Sequence, residues 1–133
     1  MASVENERTL LVKPRYILLT VFYCAGIFYL SSKPDPVEMG PLFPGTDKVL
    51  HAVLYGGLAA VVSLGVRRSG NSPAPRVQFL APIVFAGLYG LSDEIHQMFV
   101  PSRHFDPFDL IADVAGAVLV QSVLWRWWRR MSA

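Results

Sequence analysis

The sequence has little cysteine and none of the standard catalytic motifs. Cys24 is the only cysteine among 133 residues, so an internal disulfide is impossible. Because this lone thiol lies within an apolar segment, we expect it to pack without reactivity. Neither the H-E-x-x-H pattern nor the G-x-S-x-G pattern occurs in the chain. No standard motif therefore supports an enzymatic function.

The apolar segments also lack polar stripes. Hydrophobic residues make up 53% of the chain and concentrate at 16–30, 49–66, 77–91 and 110–128. A soluble helical bundle would place polar residues at helical period along each segment, and 16–30 has none. Each segment, extended through its flanks, reaches the roughly 17 to 25 residues that a spanning helix needs. The sequence therefore predicts an all-α fold, a four-helix transmembrane bundle, with residues 1–15 as an N-terminal tail and 16–130 as the membrane domain.

A cleaved signal peptide is an alternative for residues 16–30, but no small-x-small cleavage site follows them. The basic residues then indicate the orientation, since basic loops stay in the cytoplasm. Nine of the twelve fall on one side of the predicted bundle: Arg8, Lys13, Arg15, Arg67, Arg68, Arg76, Arg126, Arg129 and Arg130. We expect both termini to be cytoplasmic. Nucleic-acid binding is not expected, because the basic residues are explained as this topological signal.

A dense polar stretch at 91–113 separates the last two apolar segments. Charges beside apolar runs cost free energy unless they are paired or hydrated, so this stretch is the default functional hypothesis. Helical spacing places Asp47, His51 and Tyr55 on one face of the second helix, where Thr46 or Asp47 is the expected N-cap. In the predicted topology the second helix begins, the third ends and the fourth begins on the outer side. We therefore predict one extracytoplasmic cluster, made of Asp47, Lys48, His51, Tyr55, Asp93, Glu94, His96, Gln97, Arg103, Asp109 and Asp113.

The same residues have a purely structural interpretation. Lys48 and Arg103 would neutralise the acids and hold the helices together, as intramembrane polar groups do. In particular, we expect Arg103 to form a bidentate pair with an acid such as Asp93 or Asp109.

Several motifs occur in a fixed order: Ser31-Ser32, Asp47-Lys-x-x-His51-x-x-x-Tyr55, Asp93-Glu-x-x-Gln97, Pro101-x-Arg103 and Asp109-x-x-x-Asp113-x-x-Gly116. With these motifs, which span nearly the whole chain past its tail, the sequence resembles the VanZ-like family. The resemblance implies a small four-helix, multi-pass protein of the bacterial inner membrane and cell envelope. The family is named for an accessory factor in teicoplanin resistance, and no established reaction is implied. Ser102 and Asp113 depart from the glycine and asparagine that such proteins often have.

Three classes of function remain open. The protein could bind a membrane lipid, such as a lipid-linked cell-wall precursor. It could be a membrane enzyme that uses a divalent metal or an acid and base pair on a lipid-linked substrate. It could instead be an accessory subunit of an envelope complex. The sequence pattern does not specify catalytic residues, a metal, a cofactor or an oligomeric state.

Overall fold

The computed structural model describes residues 12–34, 43–70 and 73–133. These residues form four helices: α1 (Pro14–Ser31), α2 (Thr46–Arg67), α3 (Pro75–Gln97) and α4 (Pro107–Met131). Strands are absent from the described ranges. The predicted all-α, four-helix fold is confirmed. Pro14 and Arg15, assigned to the tail by the sequence analysis, belong to α1, and most of that tail lies outside the described residues.

Proline begins three of the helices. Pro14, Pro75 and Pro107 each occupy the first helical position, where the missing N–H is not needed and the fixed φ suits a helix. Helix α2 does not begin with proline. It follows Gly45, whose φ of 85° places it in the left-handed region. The Thr46 hydroxyl accepts the Phe43 N–H at 3.0 Å and donates to the Phe43 carbonyl at 2.6 Å. The prediction of Thr46 or Asp47 as N-cap is therefore wrong, because glycine turns the chain and Thr46 holds the preceding turn.

The closest helix pair is α2 with α4. Gly116 of α4 lies against the Ala52 carbonyl of α2, so that a Cβ at this glycine would overlap the carbonyl oxygen. Small residues permit such close approach between membrane helices. The buried apolar core around this contact comprises Ile27, Tyr55, Leu58, Ala59, Ala86 and Ala117.

The first helix packs on the outside of this core and is held by two tyrosine hydroxyls. Tyr23 of α1 donates to the Leu54 carbonyl at 2.9 Å, and Tyr89 of α3 donates to the Cys24 carbonyl at 2.7 Å. Each bond satisfies a phenolic hydroxyl that would otherwise be costly beside lipid.

The outer surface is strongly apolar. Phe22, Leu88 and Leu119 are among many large apolar side chains that remain exposed. Three helices, α1, α2 and α4, are long and apolar enough to cross a membrane. With 23 residues, α3 is as long, but Arg76 and Gln78 near one end and polar residues at the other shorten its apolar part. These features are those of an integral membrane protein.

A tight turn joins α3 to α4. The Arg103 N–H bonds the Val100 carbonyl at 3.1 Å, and Ser102 has a φ of 67°. Glycine adopts this left-handed conformation without the steric penalty that serine meets. The glycine that similar proteins often have at this position is thus the residue that the turn favours.

Candidate functional site

The start of α2, the end of α3 and the start of α4 meet at one end of the bundle, and Lys48 connects two of these helices. Its ammonium nitrogen lies 2.8 Å from Asp47 Oδ2, 2.6 Å from Asp106 Oδ2 and 2.5 Å from Asp109 Oδ1. Charge-assisted hydrogen bonds of this kind are stronger than neutral ones. Lys48 therefore neutralises acids and ties α2 to α4, as the structural interpretation of the sequence predicted.

His51 lies one turn further along α2, between two carboxylates of α4. Its Nδ1 is 2.8 Å from Asp113 Oδ1, and its Nε2 is 3.6 Å from Asp109 Oδ2. The Asp113 side chain has 0% exposure. Tyr55 lies parallel to the imidazole, with ring centroids 6.2 Å apart. The short bond to a fully buried acid fixes the orientation of the His51 ring.

Glu94 of α3 completes the group from the other side. The residue is 0% exposed, and its Oε2 accepts the backbone N–H of Asp106 at 2.8 Å. Its other oxygen, Oε1, has no hydrogen-bond partner in the described part of the chain. An unpaired oxygen on a fully buried carboxylate is costly. We call Asp47, Lys48, His51, Glu94, Asp106, Asp109 and Asp113 the polar cluster.

The neighbouring Asp93 is buried as well but has different partners. Gln97 donates to its Oδ2 at 3.4 Å within α3. The Tyr55 hydroxyl is buried, and it too has no hydrogen-bond partner among the residues described. Asp93, Gln97 and Tyr55 thus belong to the predicted group, but no ion pair links them to Lys48 or His51 in the ranges that the structure covers.

Two predicted site residues lie against α1 instead. The His96 ring stacks on Phe28 with centroids 4.5 Å apart, and its Nε2 lies 3.0 Å from the Ser32 hydroxyl. Arg103 donates from Nε to the Lys33 carbonyl at 2.9 Å. The predicted pairing of Arg103 with Asp93 or Asp109 is wrong, because Lys48 pairs with Asp109 and the end of α1 supplies a carbonyl for Arg103.

A cavity of about 100 Å³ opens at this end of the bundle. Its lining is polar and contains Asp47, His51, Gln97, Arg103, His104, Asp106 and Asp109.

Two of these lining residues, Asp106 and His104, were not included in the cluster predicted from the sequence. The sequence does contain a signal for Asp106, which is followed by Pro107. Aspartate is a common N-cap, and proline is common at the first helical position after it. The Asp106 side chain indeed accepts the Phe108 N–H at 2.8 Å. His104 has no such signal.

Carboxylates dominate the electrostatics of the polar cluster. The Lys48 ammonium beside Asp106 holds the pKa of that carboxyl below its usual value. Two groups of side chains offer ligand atoms within 4.8 Å of one another and could hold a metal ion. One is His51, Glu94 and Asp109, and the other is Asp47, Asp106 and Asp109.

Comparison with known proteins identifies a family. A family model described as VanZ/LLP1 matches residues 4–129. No curated protein and no solved structure shows significant similarity to the chain.

Proposed function

Because the chain belongs to the VanZ/LLP1 family, we propose that this integral membrane protein binds the head group of an envelope lipid in the cavity at the ends of α2, α3 and α4. The lipid would be of the class of phosphorylated, lipid-linked cell-wall precursors, in the outer leaflet of a bacterial inner membrane. The family resemblance supports an envelope role connected with glycopeptide resistance. It leaves the ligand to be argued from the cavity itself.

The observation that carries this proposal is the position and hydrogen bonding of Arg103. Arg103 lines the cavity, and its Nε is bonded to a backbone carbonyl. Within the described ranges it forms no ion pair with a carboxylate. Guanidinium groups recognise phosphate through two parallel N–H donors, and the terminal nitrogens of Arg103 have no bonded partner among the residues that the structure describes. His104, also in the lining, offers a second donor.

The surroundings of the cavity suit a lipid better than a soluble phosphate. Met98, Phe99 and Phe108 are exposed and adjoin the cavity-lining residues Gln97 and Asp109 in the chain. Large apolar side chains at a helix end in a membrane protein contact acyl chains at no cost. A ligand with a phosphate and a hydrocarbon tail would therefore use both kinds of surface.

The test compares Arg103→Ala and Arg103→Lys with Arg126→Ala, a matched arginine near the other end of α4. Each protein is placed in nanodiscs and titrated with a short polyprenyl diphosphate lipid, with phosphatidylethanolamine as the reference. Loss of a hydrogen bond to a charged group costs about 1.5–3 kcal/mol, so Arg103→Ala should bind the diphosphate lipid about 10- to 100-fold more weakly. Arg103→Lys should fall between, and Arg126→Ala should bind as the unchanged protein does.

Equal binding by Arg103→Ala and the unchanged protein, at equal melting temperature, would refute the proposal. Stoichiometric co-purification of another envelope protein, without lipid, would favour the accessory-subunit function.

A second candidate is a membrane enzyme that acts on a lipid-linked substrate. The grouping of His51, Glu94 and Asp109 favours it, since such side chains hold metals or transfer protons. Release of a product from the diphosphate lipid, rather than retention of the intact lipid, would distinguish this candidate.

A further inference from the structure

We propose that His51, Glu94 and Asp109 bind one divalent metal ion of the Zn²⁺ type. The three residues come from α2, α3 and α4, and one potential ligand atom from each lies within 4.8 Å of the others. His51 and Asp109 also line the cavity of the lipid proposal, but that proposal rests on Arg103, whereas the metal site is tested with metal alone. A cation here would bridge three helices at the point where they converge.

Each of the three side chains has one polar atom that is hydrogen-bonded within the protein and a second that is available to a ligand. In His51, Nδ1 lies 2.8 Å from Asp113 Oδ1. In the neutral tautomer with the proton on Nδ1, the Nε2 lone pair is left for a metal ion, on the side of Asp109 Oδ2 at 3.6 Å. In Asp109, Oδ1 accepts from Lys48 at 2.5 Å, which leaves Oδ2 on the His51 side. A hydrogen-bonded group behind each ligand is typical of protein metal sites, where it fixes the ligand's orientation.

Glu94 supplies the independent evidence for a cation. Its Oε2 accepts the Asp106 N–H, whereas Oε1 is buried and has no hydrogen-bond partner among the residues described. The residue is 0% exposed, so water does not solvate its charge from bulk. An ionised carboxylate in such a position requires a compensating charge. The Oδ2 atom of Asp113 is likewise buried without a partner in the described ranges, which adds to the surplus of negative charge.

The one ligand-to-ligand distance that the structure gives is compatible with a tetrahedral ion. His51 Nε2 and Asp109 Oδ2 are 3.6 Å apart, too far for a hydrogen bond. Two ligands at about 2.0–2.2 Å from Zn²⁺ in tetrahedral geometry are about 3.3–3.6 Å apart. Imidazole together with carboxylates suits Zn²⁺, whereas Mg²⁺ and Ca²⁺ prefer oxygen ligands alone. Three protein ligands leave the fourth position for water or a ligand.

The second acidic group is a poorer site. Asp47, Asp106 and Asp109 also lie close together, but the Lys48 ammonium already bonds all three. A metal ion there would have to displace this ammonium or lie beside it. Asp47 is therefore a suitable control position.

The experiment uses the full chain in detergent, treated with a chelator, loaded with Zn²⁺ and desalted. We expect about one Zn²⁺ per chain by elemental mass spectrometry. Glu94→Gln preserves the side-chain shape and an oxygen for the Asp106 N–H, and it should weaken Zn²⁺ binding by at least about tenfold, the scale of losses at metal sites. Asp47→Asn should retain Zn²⁺. Co²⁺ in place of Zn²⁺ should give the visible absorption of a tetrahedral site in Asp47→Asn and not in Glu94→Gln.

The melting temperature of the metal-free proteins shows whether Glu94→Gln is folded. It should lie close to that of the unchanged protein, because glutamine keeps the side-chain shape and an oxygen for the Asp106 N–H. The proposal is overturned if the unchanged protein retains no Zn²⁺, if Glu94→Gln retains as much as the unchanged protein, or if only Asp47→Asn loses the ion.

Discussion

Asp106 has three contacts that act at once. Its carboxylate caps α4 through the Phe108 N–H and pairs with Lys48 of α2. Its own backbone N–H donates to Glu94 of α3. One residue thus joins three helices at the cavity. The sequence analysis identified the last apolar segment as 110–128 and did not include Asp106, so its capping role was not seen.

We predict that Asp106→Ala lowers the stability of the protein and that Asp106→Asn does so less. Loss of an N-cap costs about 0.5–2 kcal/mol, and asparagine caps as well as aspartate does. The Lys48 ammonium lowers the pKa of Asp106 in the folded protein. A carboxyl with a lowered folded pKa stabilises the protein above its unfolded pKa of about 3.9 and loses this effect as the pH falls further.

The measurement is the melting temperature in detergent against pH. The difference between the unchanged protein and Asp106→Asn should be constant near neutrality and shrink below about pH 4. A difference that grows on acidification would contradict the ion pair with Lys48.

At the scale of the helices, the contact of α2 with α4 determines the geometry of the site. Lys48 and His51 lie on α2, their carboxylate partners lie on α4, and Gly116 sets how closely the two helices approach. The spacing in the motif Asp109-x-x-x-Asp113-x-x-Gly116 is that of residues on one helix face. It did not indicate that Ala52 would be the neighbour of Gly116, since spacing within one helix says nothing about the partner across the contact.

We expect Gly116→Ala to be destabilising, against the usual preference for alanine in a helix. The added Cβ would overlap the Ala52 carbonyl oxygen, and overpacking of this kind costs about 1–3 kcal/mol. The matched control is Gly26→Ala in α1, where a Cβ meets nothing within 4 Å. That substitution should leave the melting temperature unchanged or raise it.

Thermal unfolding of the two variants in the same detergent decides the matter. If Gly116→Ala is as stable as Gly26→Ala, α2 and α4 do not touch as closely as the structure indicates.

For the whole molecule, the four-helix architecture was predictable because the apolar segments are long and nearly free of charge. The cluster of Lys48, His51, Asp109 and Asp113 followed from helical spacing together with a common end for three helices. The positions of His96 and Arg103 were not predictable. His96 contacts α1 and Arg103 contacts the residues that follow it, and no periodicity in the sequence specifies how a peripheral helix is rotated about its axis or where it packs.

Orientation remains a prediction that rests on charge. The end of the bundle with the polar cluster has Lys33, Lys48 and Arg103, whereas the other end of the helices has Arg67, Arg76 and the C-terminal arginines. Basic residues stay in the cytoplasm. In a protein whose only cysteine is removed by Cys24→Ser, an impermeant thiol reagent added outside cells should label Ser102→Cys and not Gly70→Cys. Both positions are exposed in the structure.

Permeabilised cells provide the control, since Gly70→Cys should then become labelled. The opposite pattern in intact cells would move the polar cluster to the cytoplasmic side.

The bond between His51 and Asp113 concerns two properties that usually change together, the tautomer of the imidazole and the charge beside it. Asparagine, the residue that similar proteins often have at 113, carries an amide oxygen that accepts the Nδ1–H of His51 as a carboxylate oxygen does. Exchange of Asp113 for asparagine would therefore keep the imidazole in the same tautomer while removing one negative charge beside it. Position 113 therefore determines how much negative charge lies beside His51 without determining how the ring is oriented.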